Sequence, residues 1–187
     1  MTRDMPSLLV LGLGNLLCSD DGVGAAAAAR LLELWEPPED ARVLDGGTLG
    51  LALLPYLEDA RDVILLDAIR ADAPVGTLVR LEGEDVAPAV ATRLSVHQIG
   101  VSDLLDGARW VDRYPKRLVL LGLVPATIEL GLDRSPDVER QLPLLIARAV
   151  EEAGNLGYVF HRRSPTLASS GPGGRFPRGL GSASLPI

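Results

Sequence analysis

The residues best suited to chemistry in this chain are acids that follow short aliphatic runs. Asn15 and the pair Asp20-Asp21 come after Leu8-Leu9-Val10-Leu11-Gly12, Asp45 ends Arg42-Val43-Leu44 and precedes Gly46-Gly47-Thr48, and Asp67 directly follows Val63-Ile64-Leu65-Leu66. Each run reads as a strand of a parallel sheet, and open α/β sheets bind ligands beyond the carboxyl ends of their strands. Carboxylates at three successive strand ends are therefore expected to converge on one edge of the sheet. Such a cluster repels itself, and a cation relieves it. His97, one of two histidines, adds a nitrogen to the inventory. An imidazole with two carboxylates and open positions suits a borderline divalent ion such as Ni²⁺ or Zn²⁺.

Every one of these residues has a plainer reading. Asp20 or Asp21 can cap the following helix, where a carboxylate meets free backbone N–H groups. Asp45 before two glycines suits a turn. A lone histidine is more often structural than a ligand, and His161, the other one, falls in a Ser/Gly/Pro/Arg-rich tail. Asp67 is the hardest to dismiss, because an acid at a buried strand end is costly to desolvate without a partner. Cys18 has no sequence partner that marks a nucleophile–base pair, and it reads as a small buried hydrophobe. Gly12-Leu13-Gly14 opens like a dinucleotide fingerprint, but Leu17 stands where its third glycine belongs.

The elements that must position these acids alternate along the chain. After the first strand, Gly24 to Leu34 is alanine-rich with helical spacing of Val23, Ala27, Leu31 and Leu34, and Trp35 with Pro37-Pro38 closes it. A second strand at Arg42–Asp45, a short helix at Leu49–Leu57 and a third strand at Asp62–Asp67 follow. Gly76 to Leu81 alternates enough for an edge or antiparallel strand. A helix is expected from Ile99 to Leu105, a fifth strand from Arg117 to Val124, and a last helix from Ser135-Pro136, which Pro143 should kink or delay. The alternation predicts an α/β fold: a twisted, mostly parallel five-stranded sheet with helices on both faces, phosphorylase/hydrolase-like. Residues 1–153 form the expected domain, and 154–187 a tail unable to bury enough surface to offset its ordering entropy.

Composition narrows the function classes. The chain has 187 residues, 47% hydrophobic and 23% charged, which is globular composition with room for one core. Its formal net charge of −7 argues against nucleic acid as the main partner. A single cysteine cannot form an internal disulfide, and the run Leu8–Leu13 is too short for a signal peptide or membrane span. A cytoplasmic protein with no membrane span is expected.

Several ordered motifs then carry a resemblance. Gly12-Leu-Gly-Asn-Leu-Leu-Cys-Ser-Asp-Asp-Gly-Val-Gly24, Leu44-Asp-Gly-Gly-Thr-Leu-Gly50, Leu65-Leu-Asp-Ala-Ile69, Ser95-Val-His-Gln-Ile-Gly100 and Gly122-Leu-Val-Pro125 together resemble the hydrogenase maturation proteases, from about residue 8 to about 150. The resemblance implies an endopeptidase that removes a short C-terminal peptide from the nickel-loaded precursor of a nickel–iron hydrogenase large subunit. It implies Asp21, Asp67 and His97 as catalytic and metal-contacting residues, and Asp45-Gly46-Gly47 as a substrate-handling loop. Asp21 stands where relatives commonly carry Glu, one methylene longer, which leaves Asp20 as a substitute. Nickel is carried by the substrate, and other divalent ions such as zinc or cadmium are able to occupy the site. The competing readings are a non-catalytic assembly chaperone for the same precursor, and a nucleotide-binding α/β protein that uses the Gly12–Gly14 turn.

Overall fold

Residues 7–91 and 99–164 are described by the computed structural model of the chain. Strands β1 (Leu8–Leu13), β3 (Ala41–Gly47), β4 (Asp62–Ala68), β5 (Leu78–Glu82) and β6 (Arg117–Leu123) form one sheet in the order β3-β1-β4-β6-β5. β1, β3, β4 and β6 run parallel, and β5 closes the edge antiparallel to β6. This is the expected α/β architecture, with the antiparallel edge where the alternation at Gly76–Leu81 placed it.

The central strands are buried on both faces, which is why they read as unbroken aliphatic runs. Their side chains alternate between two cores. Leu8, Val10, Ile64, Leu66, Val119 and Leu121 pack with helix α1 (Val23–Leu34) and helix α5 (Pro136–Asn155). Leu9, Leu11, Val63, Leu65, Leu118 and Leu120 pack on the other side, under the 3-10 turn Gly50–Leu53, helix α2 (Leu54–Glu58), helix α3 (Val86–Ala91) and helix α4 (Ile99–Trp110). α1 lies very close to the sheet. A Cβ on Gly12 would stand 2.3 Å from the Gly24 carbonyl oxygen, and one on Gly24 would stand 2.0 Å from that of Leu66.

Two expectations need correction. Pro143 does not delay the last helix, which starts at Pro136 and runs through to Asn155. Pro143 is exposed there, so the Glu139 carbonyl it leaves unbonded faces water rather than core. The tail expected from residue 154 is also drawn too long. Tyr158 and Phe160 are buried in the α1/α5 core, and His161–Arg162, as strand β7, pair antiparallel with Trp35–Glu36, strand β2. Tyr158 OH donates to Asp62 at 2.6 Å, and Asp62 also accepts two bonds of 2.6 Å from Arg117 and one of 3.1 Å from Arg61. Two aromatics and one buried carboxylate suffice to seat this segment, although its apolar residues look scattered in the sequence. Residues 165–187 lie outside the described residues, and among the described ones no helix is long and apolar enough to cross a membrane.

Candidate active site

The carboxyl ends of β1, β3 and β4 are brought level by the sheet register: Gly12 pairs with Asp45 on one side and Leu66 on the other, with Asp67 one residue further. Beyond β1 the chain turns back on itself. Gly14 takes φ +113°, and a Cβ there would lie 1.8 Å from the Asp21 carbonyl oxygen, so only glycine fits. The turn ends in a 3-10 stretch, Ser19–Gly22, that lies against β4 and runs into α1. Asp21 is therefore carried to the top of the sheet between β1 and β4. Its Oδ2 accepts the Asn15 N–H at 2.7 Å, and its side chain is buried.

Asp67 is fully buried at the end of β4, and its Oδ1 accepts the Ala68 N–H at 2.7 Å. Strand alternation aims it at the α2/α4 face, the side of Leu65 and Ile69. The start of α4 reaches the same rim. Gly100 stands directly against Gly50, so close that a Cβ on Gly100 would lie 2.5 Å from the Gly50 Cα. His97 lies outside the described residues, and the described chain resumes two residues later at Ile99. Among the described residues no three His, Cys, Asp or Glu side chains form a group that could hold a metal.

The neighbouring acids Asp20 and Asp21 have different surroundings. Asp20 is fully buried and accepts four hydrogen bonds: Ala126 N–H at 2.8 Å, Thr127 N–H at 3.3 Å, Ser135 N–H at 2.6 Å and Ser135 Oγ–H at 2.9 Å. It ties the β1–α1 turn to the β6–α5 loop and to the start of α5. A carboxylate so occupied is a structural anchor. This is not the capping of the following helix that the sequence suggests for it.

Asp45 stands apart from Asp67. It shares its register level with Gly12 and Leu66, and both of these face α1, so Asp45 lies on the opposite face of the sheet from Asp67. It is exposed, and its Oδ1 accepts the Gly47 N–H at 3.0 Å, the bond of an Asx turn in which Gly47 takes φ +46°. Gly46 is buried against Leu11 and Leu53. The turn-forming reading thus accounts for Asp45, while Gly46 and Gly47 let the loop pass close to the sheet.

The Gly12–Gly14 turn is closely packed. The space beside Gly12 is filled by Gly24 and Ala28, and that beside Gly14 by Asp21 and Gly22.

The sheet and its rim therefore make an α/β protein with two buried carboxylates, one at the end of β4 and one in the turn that follows β1. The comparisons with known proteins narrow that class. A family model described as hydrogenase maturation protease matches residues 26–152. The hydrogenase expression/formation protein HupD of Rhodobacter capsulatus is 40% identical over 147 residues, covering 78% of this chain and 70% of HupD. The hydrogenase 2 maturation protease of Escherichia coli K12 is 34% identical over 152 residues, covering 79% of this chain and 92% of that protein. The solved structure of the hydrogenase maturating endopeptidase HybD from Escherichia coli superposes with a TM-score of 0.79 at 29% identity, over 83% of this chain and 97% of HybD. A nickel–iron hydrogenase maturation protease HybD from Thermococcus kodakarensis gives a TM-score of 0.64 at 28% identity, over 78% of this chain and 98% of that one. The chain belongs to the hydrogenase maturation protease family, and it is a peptidase.

Proposed function

We propose that this peptidase removes a short C-terminal peptide from the nickel-loaded precursor of a nickel–iron hydrogenase large subunit, in the cytoplasm. The observation that carries the reading is the pair of buried acids, Asp67 at the end of β4 and Asp21 in the turn after the adjoining β1, in a chain of this family. Buried carboxylates at a rim are stabilised by a cation, and here the cation arrives with the substrate. Asp21, Asp67 and His97 contact that nickel, and zinc or cadmium can take its place.

The placement of the acids supports a division of roles. Held by Asp21, Asp67 and His97, the substrate's ion would polarise the scissile carbonyl or an attacking water. Asp67 is the better candidate for general base, since Asp45 sits across the sheet and is engaged in its own turn. Asp21 is preferred to Asp20 because all four of Asp20's contacts are structural. The Asp45-Gly46-Gly47 loop borders the rim and handles the substrate.

Mass spectrometry of nickel-loaded precursor before and after incubation with the protein tests this. The expected result is loss of one C-terminal peptide by the wild type and none by Asp67→Asn or His97→Ala, with both variants folded by circular dichroism. An unchanged precursor mass with the wild type overturns the proposal and leaves binding alone, the chaperone reading. Full processing by His97→Ala overturns the ligand assignment.

A further inference from the structure

The rim that carries Asp21 also carries exposed leucines that the fold does not need. The β1–α1 loop presents Leu16 and Leu17, and the β6–α5 loop presents Leu130 and Leu132, which are 86% and 75% exposed. A parallel bridge at Cys18 and Gly131 holds the two loops side by side: Ser19 N–H donates to Gly131 O at 2.8 Å, and Gly131 N–H donates to Leu17 O at 3.0 Å. The Asp20 anchor fastens the same two loops from beneath. The two loops are close here, since a Cβ on Gly131 would stand 2.5 Å from Ser19 Oγ. The leucines are thus displayed on a braced platform and are not stray residues on a slack loop. Exposed leucines gathered on two braced loops form the kind of apolar patch that often has a function.

We infer that this platform docks an apolar segment of the precursor, flanked by basic residues, beside the bond to be cut. The inference rests on the proteolytic reading above. Two observations fix the occupant. The platform is continuous with the candidate site, because Ser19, which pairs with Gly131, is two residues from Asp21 in the same turn. Its border is acidic: Glu129 and Asp133 are exposed on either side of Leu130 and Leu132, while the next cation, Arg134, is already paired with Glu139 at 2.7 Å. Apolar knobs within an acidic border match a leucine-like segment bearing Lys or Arg at its edges. A second copy of this chain would bring the same acidic border and be repelled.

The experiment uses the full chain and the nickel-loaded precursor, with two readouts: binding to immobilised precursor, and cutting followed by mass spectrometry. The variant is Leu130→Ser with Leu132→Ser, and Trp110→Ser is the control. Trp110 is 90% exposed, at the amino end of the sheet where α4 leads towards β6. The expected result is a Kd and a KM raised about tenfold by the leucine double variant, with kcat at saturation within about twofold and no change from Trp110→Ser. Glu129→Lys with Asp133→Lys is expected to weaken binding as well, and to flatten its dependence on salt. A double leucine variant that binds and cuts like the wild type overturns the docking surface alone. A wild type that binds through the leucines but never cuts overturns the proteolytic reading and leaves the surface standing. Binding strengthened by Glu129→Lys with Asp133→Lys overturns the basic flank.

Discussion

Replacing the adjacent acids Asp20 and Asp21 one at a time by Asn should separate structure from chemistry. At Asp20, Oδ2 accepts from Ala126 N–H, Thr127 N–H and Ser135 Oγ–H, while Oδ1 accepts from Ser135 N–H at 2.6 Å. An Asn can keep the three bonds to one oxygen, but its NH₂ then meets the Ser135 N–H, donor against donor. The loss is one charge-assisted bond, worth roughly 1.5–3 kcal/mol, and a donor left facing another donor adds about 1–3 kcal/mol. Ser135 is half-buried, so water recovers part of this, and about 3 kcal/mol is the working figure. For a chain of this size it corresponds to a fall in Tm of roughly 6–12 °C. At Asp21 the carboxamide oxygen can still accept the Asn15 N–H, and loss of one charge from an acidic rim is not itself destabilising. Asp21→Asn is therefore expected to lose less stability than Asp20→Asn. It should nonetheless lose processing, whereas Asp20→Asn, assayed below its lowered Tm, should retain it. Thermal unfolding by circular dichroism and the precursor mass assay read the two properties separately. A stable Asp20→Asn that fails to cut, paired with an unstable Asp21→Asn that cuts, would refute the division of roles.

Two further outcomes follow from the packing. Burial alone would raise the pKa of Asp62, but hydrogen bonds from Arg117, Tyr158 and Arg61 outweigh it and hold the carboxyl below its usual range. The stability this supplies is complete above the unfolded carboxyl value and lost as pH falls through the lower folded one. Urea midpoints should hold steady from neutrality to about pH 5 and drop below about pH 4, with Tyr158→Phe costing about 1–2 kcal/mol at neutral pH; a flat acid limb would remove Asp62 from the explanation. At the opposite end of the sheet, Gly100→Ala should drive a methyl into the Gly50 Cα and cost about 1–3 kcal/mol. Displacement of the start of α4 should also slow cutting, and a variant with unchanged stability and rate would show that the contact yields freely.

The order and type of the main elements were legible because fully buried parallel strands and an alanine-rich helix leave strong local patterns. Leu8 to Leu11 and Val63 to Leu66 alternate between two cores rather than between core and water, hence their unbroken aliphatic character. What sequence could not supply was pairing at a distance. The buried cluster of Asp62 with Arg117 and Tyr158 joins residues 55 and 96 positions apart, so the segment after α5 looked like the start of a free tail. The four bonds to Asp20 come from residues more than 100 positions away, and a helix-capping acid and an anchoring acid are indistinguishable until those donors are in place.

The candidate site shows the same limit more sharply. Each acid stands at a strand end, and from sequence alone Asp45 and Asp67 appear equivalent. Which face a strand residue addresses depends on register with its neighbour, and one step of offset reverses it. Asp45 aligns with Gly12, and so does Leu66, which leaves Asp67 one step beyond. The two carboxylates therefore look to opposite sides of the sheet, Asp45 towards α1 and Asp67 towards α4. A catalytic group has to share a face with the groups it works with. The described start of α4 lies on the Asp67 side, with Gly100 against Gly50. Register thus separates Asp45, held in its own turn, from Asp67 on the other face of the sheet.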